Sequence, residues 1–333
     1  MRARLPIALA ALGSFAIALV AVVGAARADF PVTIENCGRT ITFAKPPARA
    51  VSHDMNISEI MFALGLQDRM VGVTGITGWY KMTPEFRRAL GSLPELAAKE
   101  PTLENLLAAN PDFFFAGWYY GMHPGGPVTP DSLAAFGIPV YVLTESCAHI
   151  RADSRTDSRS APRAADIEVL YRDIHNIGRI FGRSTRADAL IGDYRRRVDA
   201  VRQRLAGAAP VRVFLFDNGE DKPFTAGKYG MPTAIIAAAA GRNVLDDVAA
   251  SWGHVGWESV IARDPEFVVL TATGDDSWRD RWRFLKTHPA LASIRAMRED
   301  RFLALEYTEL TPGPGNIAAI EKLARALHPE RFR

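Results

Sequence analysis

Residues 50–74 read AVSHDMNISEIMFALGLQDRMVGVT, and their pattern is strand, loop, helix, strand. Ala50, Val51 and Ser52 end a short apolar run, and His53 to Asn56 are polar loop formers. Ile57, Ile60, Met61 and Leu64 then recur at helical spacing until Gly65 stops the helix. Met70 to Val73 supply the next strand. Two strands joined by a helix of this length pair in parallel with a right-handed crossover. The loop His53 to Asn56 therefore falls at the carboxyl edge of a sheet, where open α/β sheets hold their ligands. Glu59 sits between Ile57 and the Ile60-Met61 pair and is expected to face solvent.

Ahead of this unit, Arg2 and Arg4 precede an apolar run from Leu5 to Val23, followed by Ala26-Arg27-Ala28. That is the pattern of a cleaved secretory leader, residues 1–28. The competing reading is a membrane anchor, but the small-residue cleavage pattern follows directly and no second apolar span of about 20 residues occurs. Losing Arg2, Arg4 and Arg27 takes Lys plus Arg from 40 to 37 against 37 acidic residues, so the +3 charge falls to zero. A neutral chain without a long basic run excludes nucleic acid as an expected partner. The 333 residues less 28 leave 305, a length suited to two domains. In the oxidising compartment beyond the inner membrane, Cys37 and Cys147 are expected to pair, with two buried free thiols as the alternative.

Along the chain, Val32 to Ile34 and Thr40 to Phe43 flank Asn36-Cys37-Gly38 as a hairpin. Gly75 to Lys81 is a glycine-punctuated loop carrying Trp79 and Tyr80. Thr102 to Ala109 reads as a helix, Asp112 to Ala116 as a buried strand, and Gly117-Trp118-Tyr119-Tyr120-Gly121 as another aromatic loop after it. Thr129-Pro130-Asp131 opens a helix before the strand Ile138 to Leu143. Residues 146–162 are polar, with arginines at 151, 155 and 159 and a fourth at 163, and read as a solvated loop. Ile167, Leu170, Tyr171, Ile174, Ile177 and Ile180 then mark one helix of about 18 residues, ending near Gly182. A second runs from Thr185 to Leu205. From Val211 the α/β alternation resumes, with helices at 232–240, 257–263 and 315–327 and strands at 211–216, 267–271 and 302–305. One internal echo links the halves: 103–115, LENLLAANPDFFF, is matched by 257–269, WESVIARDPEFVV.

In its order and spacing the chain resembles the periplasmic binding proteins of ABC importers for ferric siderophores, haem and cobalamin. The resemblance is carried by Gly38-Arg39-Thr40, Ser58-Glu59, Ala63-Leu64-Gly65-Leu66, Asn110-Pro111-Asp112, Gly178 with Phe181-Gly182, Pro223 to Lys228, Gly241-Arg242-Asn243 and Glu258 with Asp264-Pro265. It implies two Rossmann-like α/β lobes with parallel central sheets, 29–162 and 184–333, joined by one long helix at 163–183 with a ligand cleft between them. It also implies modest closure on binding, a monomer, and a permease partner in the inner membrane that docks an exposed glutamate on each lobe. The matching positions are Glu59 and Glu258. His53-Asp54 departs from the family's small residues after the first strand and is left outside the expected site.

The solute is expected against Trp79, Tyr80, Trp118, Tyr119, Tyr120, Trp252, His254 and Tyr307, with Lys228 nearby, since aromatic faces suit a bulky or planar ligand. Lys81, Lys228 and Arg279 are candidates to neutralise an anionic chelate, and Tyr119 or Tyr120 to ligate haem iron. A ferric siderophore ranks first, then haem, then cobalamin. No resident cofactor is expected; the solute brings its own iron, porphyrin or corrin. Enzymes with a phosphate loop are excluded because Tyr229, not Ser or Thr, follows Gly227-Lys228, and neither a G-x-S-x-G elbow nor an H-E-x-x-H helix occurs. Histidines at 53, 123, 149, 175, 254, 288 and 328 lack the spacing of a zinc or manganese site.

Overall fold

The computed structural model describes residues 30–151, 164–274 and 277–333. The expected leader and residues 152–163 lie outside them; the start of the expected solvated loop 146–162 is instead helical through Arg151, with Ser146 and Cys147 buried. A hairpin opens the described chain: β1 (Val32–Asn36) and β2 (Arg39–Phe43) pair antiparallel around Cys37 and Gly38, both at positive φ, and bury alternate residues. Next come β3 (Ala50–His53), α1 (Met55–Ala63), β4 (Met70–Thr74), α2 (Pro84–Leu90), β5 (Glu95–Ala97), α3 (Leu103–Ala108), β6 (Phe113–Trp118), β7 (Gly121–Met122), α4 (Pro130–Ala134), β8 (Val140–Val142) and α5 (Ala148–Arg151). Two helices follow, α6 (Glu168–Ile180) and α7 (Ser184–Arg204). The second half contains β9 (Val211–Phe216), β10 (Phe224–Ala226), α8 (Met231–Ala238), β11 (Gly241–Asn243), β12 (Trp252–His254), α9 (Trp257–Arg263), β13 (Phe267–Ala272), α10 (Ser277–Thr287), α11 (Arg295–Arg298), β14 (Phe302–Glu306), α12 (Tyr307–Leu310) and α13 (Gly315–Leu327).

The stretch 50–74 folds as its pattern requires, with β3 and β4 parallel around α1. Its loop is shorter than expected. Asp54 alone, at φ 71°, turns the chain from strand to helix and caps α1 by accepting from Met55 N. The first sheet runs β5-β4-β3-β6 with β7 and β8 both on β6, all parallel. The second is β11-β9-β13-β14, also parallel. In each sheet the chain leaves a central strand on one side and returns on the other, between β3 and β6 and between β9 and β13. Crevices at the carboxyl ends of parallel strands open at such switch points.

The two lobes are joined by one long helix, but it is not the segment 163–183. Helix α6 lies along the first lobe, where buried Asp173 accepts from Tyr141 and Thr144 and Arg179 donates to the Thr33 carbonyl. Helix α7 makes the crossing. It starts against α1, with Arg186 donating to the Ala63 carbonyl, and ends on α13, where Arg197 forms a two-pronged pair with Glu321. The apolar periodicity of 167–180 thus reports packing on the first sheet; its helix begins at Glu168, not Ala164.

Candidate functional site

The switch points of both sheets face one cleft of about 440 Å³. Tyr119 and Tyr120 enter it from the end of β6 and Asp217 from the end of β9. Phe224 of β10 and Trp252 of β12 form one wall with rings stacked at 5.8 Å, and Tyr307, Thr311 and His149 complete the lining.

Beneath the cleft two carboxyls of the first lobe bridge to the second. Asp54 accepts from the Tyr307 hydroxyl at 2.9 Å, and Tyr307 stacks on Tyr80 at 4.3 Å. Glu145 accepts from Met231 N and Ser251 Oγ, each at 2.9 Å, and from Tyr120 OH at 3.4 Å. Met231 opens α8, so Glu145 meets a helix N-terminus across the lobe boundary. Burial raises both carboxyls to about 7 despite these donors. Backbone bonds from Lys81 N to the Thr273 carbonyl and from Ala165 N to the Lys228 carbonyl, with Asn56 Nδ2 on the Pro312 carbonyl, complete the seam.

His53 is a packing residue. Its Nδ1 lies 2.9 Å from Thr74 Oγ1, and burial lowers it to about 3, so the ring is neutral. Gly75 and Gly121, both at positive φ, let the backbone press onto that imidazole: a Cβ there would lie 2.3 and 2.5 Å from ring atoms. The turn from β6 into the cleft depends on this approach. Tyr119 itself sits at φ 64°, 56% exposed, with its ring edge-on to His123 and His149. This non-glycine residue thus holds a sparsely populated backbone conformation at the cleft mouth.

Of the residues expected on the solute, Tyr119, Tyr120, Trp252 and Tyr307 line the cleft, and Tyr80 stacks behind Tyr307. Trp118 is moved away, because β6 extends two residues beyond Ala116 and turns that indole into a core cluster with Val51, Leu106 and Leu133. Trp79 stays 47% exposed beneath the Lys99 ammonium, away from the lining. His254 is exposed, its Nδ1 against the Lys222 carbonyl, and meets the wall at the Phe224 ring. The Lys228 ammonium lies 5.9 Å from the Tyr229 ring, and neither it, Lys81 nor Arg279 lines the cleft. His149, Asp217, Phe224 and Thr311 were missed, as was Glu145 below, while Asp54 was placed at the cleft but left outside the site; Asp54 and Asp217, each directly after a strand, carry the local signal.

Glu59 differs from expectation. It is half-buried in a separate groove with Glu306 and Glu309, and burial, then repulsion from Glu309 and Asp54, raises its carboxyl to about 8. Glu258 is exposed in the first turn of α9. Cys37 and Cys147 form a disulfide, Cα atoms 5.3 Å apart, beside Asn36, whose amide bonds both backbone groups of Val142. Hairpin and cleft floor are thereby fastened together.

A family model for periplasmic binding proteins matches residues 51–307. The vitamin B12-binding protein of Yersinia pestis (strain Pestoides F) is 25% identical over 230 residues, 69% of this chain and 71% of its own. An ABC-type Fe3+-hydroxamate transport system protein from Saccharomonospora viridis DSM 43017 superposes with a TM-score of 0.73 at 26% identity, over 90% of this chain and 99% of its own. A periplasmic heme binding protein from Pseudomonas aeruginosa gives a TM-score of 0.65 at 26% identity, over 85% and 93%.

Proposed function

This chain belongs to the periplasmic binding protein family, and on that premise we propose that it captures a ferric siderophore of the hydroxamate class and delivers it to an ABC-importer permease. The observation that carries the reading is the cleft itself, walled from both lobes by Tyr119, Tyr120, Phe224, Trp252 and Tyr307. Aromatic faces bury a bulky, partly apolar chelate at small entropic cost. The likeness to the Fe3+-hydroxamate transport protein supports the class. Haem is the second reading, favoured by the exposed Tyr119 phenol beside His149. Its propionates, however, call for cations, and among the described residues no lysine or arginine lines the cleft. Adding a ferric trihydroxamate should quench tryptophan fluorescence saturably at one per chain; a Soret band with haemin and no such quenching would reverse the ranking. Export through a leader cleaved after Ala28 is part of the same proposal.

For docking to the permease, the surface favours Glu104 with Glu258 over Glu59. The echo of 103–115 in 257–269 makes them counterparts: each is the second residue of its helix, and each helix leads into a central strand. Both are exposed, whereas Glu59 is not. Charge reversal at Glu104 and Glu258 together should abolish uptake with cargo affinity retained. Full uptake by that double variant would reject the pair.

A further inference from the structure

We propose that the cleft recognises a positively charged group on its cargo, an alkylammonium, through the Asp217 carboxylate and the faces of Phe224 and Trp252. The inference rests on the reading of the cleft as a ferric-chelate site and adds to it the charge of the chelate. Asp217 is the carboxylate among the lining residues, and no lysine or arginine of the described chain joins it there. It is half-buried at the switch point of the second sheet, with Asn218 Nδ2 donating to Oδ2 at 2.6 Å and its own N–H given to the Phe224 carbonyl. That last bond places Asp217 next to the stacked Phe224 and Trp252 rings, whose negative faces attract cations.

The other groups around the cleft lean the same way. Asp54 and Glu145 lie under the floor, and since burial raises both to about 7 they add full negative charge only above that pH. His149, the lining imidazole, is held toward its neutral form by burial. The opposing charge is Arg281 on α10, which draws Asp217 down while burial pushes it up more strongly. Arg281 donates to Ser277 Oγ, while the Asn218 amide and the Thr271 hydroxyl meet the Asp217 carboxylate. Each carboxylate oxygen carries two lone pairs, so an incoming N–H still finds an acceptor there. An ammonium seated there would exchange its water for a charge-assisted hydrogen bond and aromatic faces.

The test compares three probes by fluorescence titration: a linear ferric trihydroxamate ending in a primary ammonium, its N-acetylated counterpart, and a ferric tris-catecholate of high negative charge. The wild-type protein should bind the ammonium chelate at least about tenfold more tightly than the acetylated one. Asp217→Asn should make the two Kd values equal, and Asp217→Glu should keep them apart; melting curves confirm that both variants fold. Equal binding of the first two probes by wild-type protein overturns the charge inference and leaves the trihydroxamate reading standing. Preference for the catecholate, or binding of none, overturns both.

Discussion

Removing the Glu145 carboxyl tests the seam between the lobes most sharply. Glu145→Ala strips acceptors from Met231 N and Ser251 Oγ, both buried and both bonded at 2.9 Å. A buried donor left unsatisfied costs about 1–3 kcal/mol, so the two together predict about 2–6 kcal/mol. Glu145→Gln keeps an acceptor oxygen and the shape, and should lose no more than about 1.5 kcal/mol. The pH dependence separates the two further. The carboxyl titrates at about 7 in the fold against an ordinary 4.5, so the folded state holds its proton more tightly. Its contribution is fully present below about 4.5 and is lost as pH rises through about 7. Wild-type stability from this group therefore falls between those values, and Glu145→Gln should flatten that part of the curve, gaining on wild type as pH rises. Urea denaturation at pH 5 and pH 8 measures both effects. A loss under about 0.5 kcal/mol in Glu145→Ala, or an unchanged pH slope in Glu145→Gln, would refute the reasoning.

Reduction, or Cys37→Ser with Cys147→Ser, should lower stability by up to about 4–5 kcal/mol in the chain-entropy account of a loop this long, read as a drop in melting temperature; an unchanged melt would deny the bond a structural role. Gly121→Ala must push a Cβ into the His53 ring at positive φ, so we expect a loss of more than about 2 kcal/mol and weaker cargo binding, checked by denaturation and titration. Trp252→Ala should weaken cargo binding at least about tenfold while Trp79→Ala leaves it within about twofold, since only the first indole lines the cleft. Tyr307→Phe should cost about 0.5–1.5 kcal/mol of stability, measured by denaturation, since Asp54 loses its cross-lobe donor but keeps Met55 N and Tyr80.

Where local rules act, the chain was legible. Period-two burial gave β1 and β2, helical spacing gave α1, and parallel crossovers placed the ends of β3 and β6 at one edge. Tyr119 and Tyr120 reach the cleft because they follow β6, and Tyr307 because it follows β14 of the second sheet, whereas Trp252 comes from β12 itself. The misplacements came from single-residue parity and from long-range packing. Trp118 and Tyr119 are neighbours, yet one ends a buried strand and the next turns at positive φ, so their rings go to opposite places. Glu145 has no pattern of its own; its role comes from Met231 and Ser251, far along the chain and in the other lobe. The joining helix was misassigned because α6 and α7 are both amphipathic, and only their partners show which one crosses.

Capture of one iron chelate between the lobes, against Trp252 and Tyr307, is the central proposal. Native mass spectrometry of the protein isolated from its source cells tests this directly. One ferric hydroxamate complex per chain, lost in the Trp252→Ala variant, is the predicted result; a chain carrying porphyrin or corrin instead, or an iron chelate retained equally by Trp252→Ala, would contradict it.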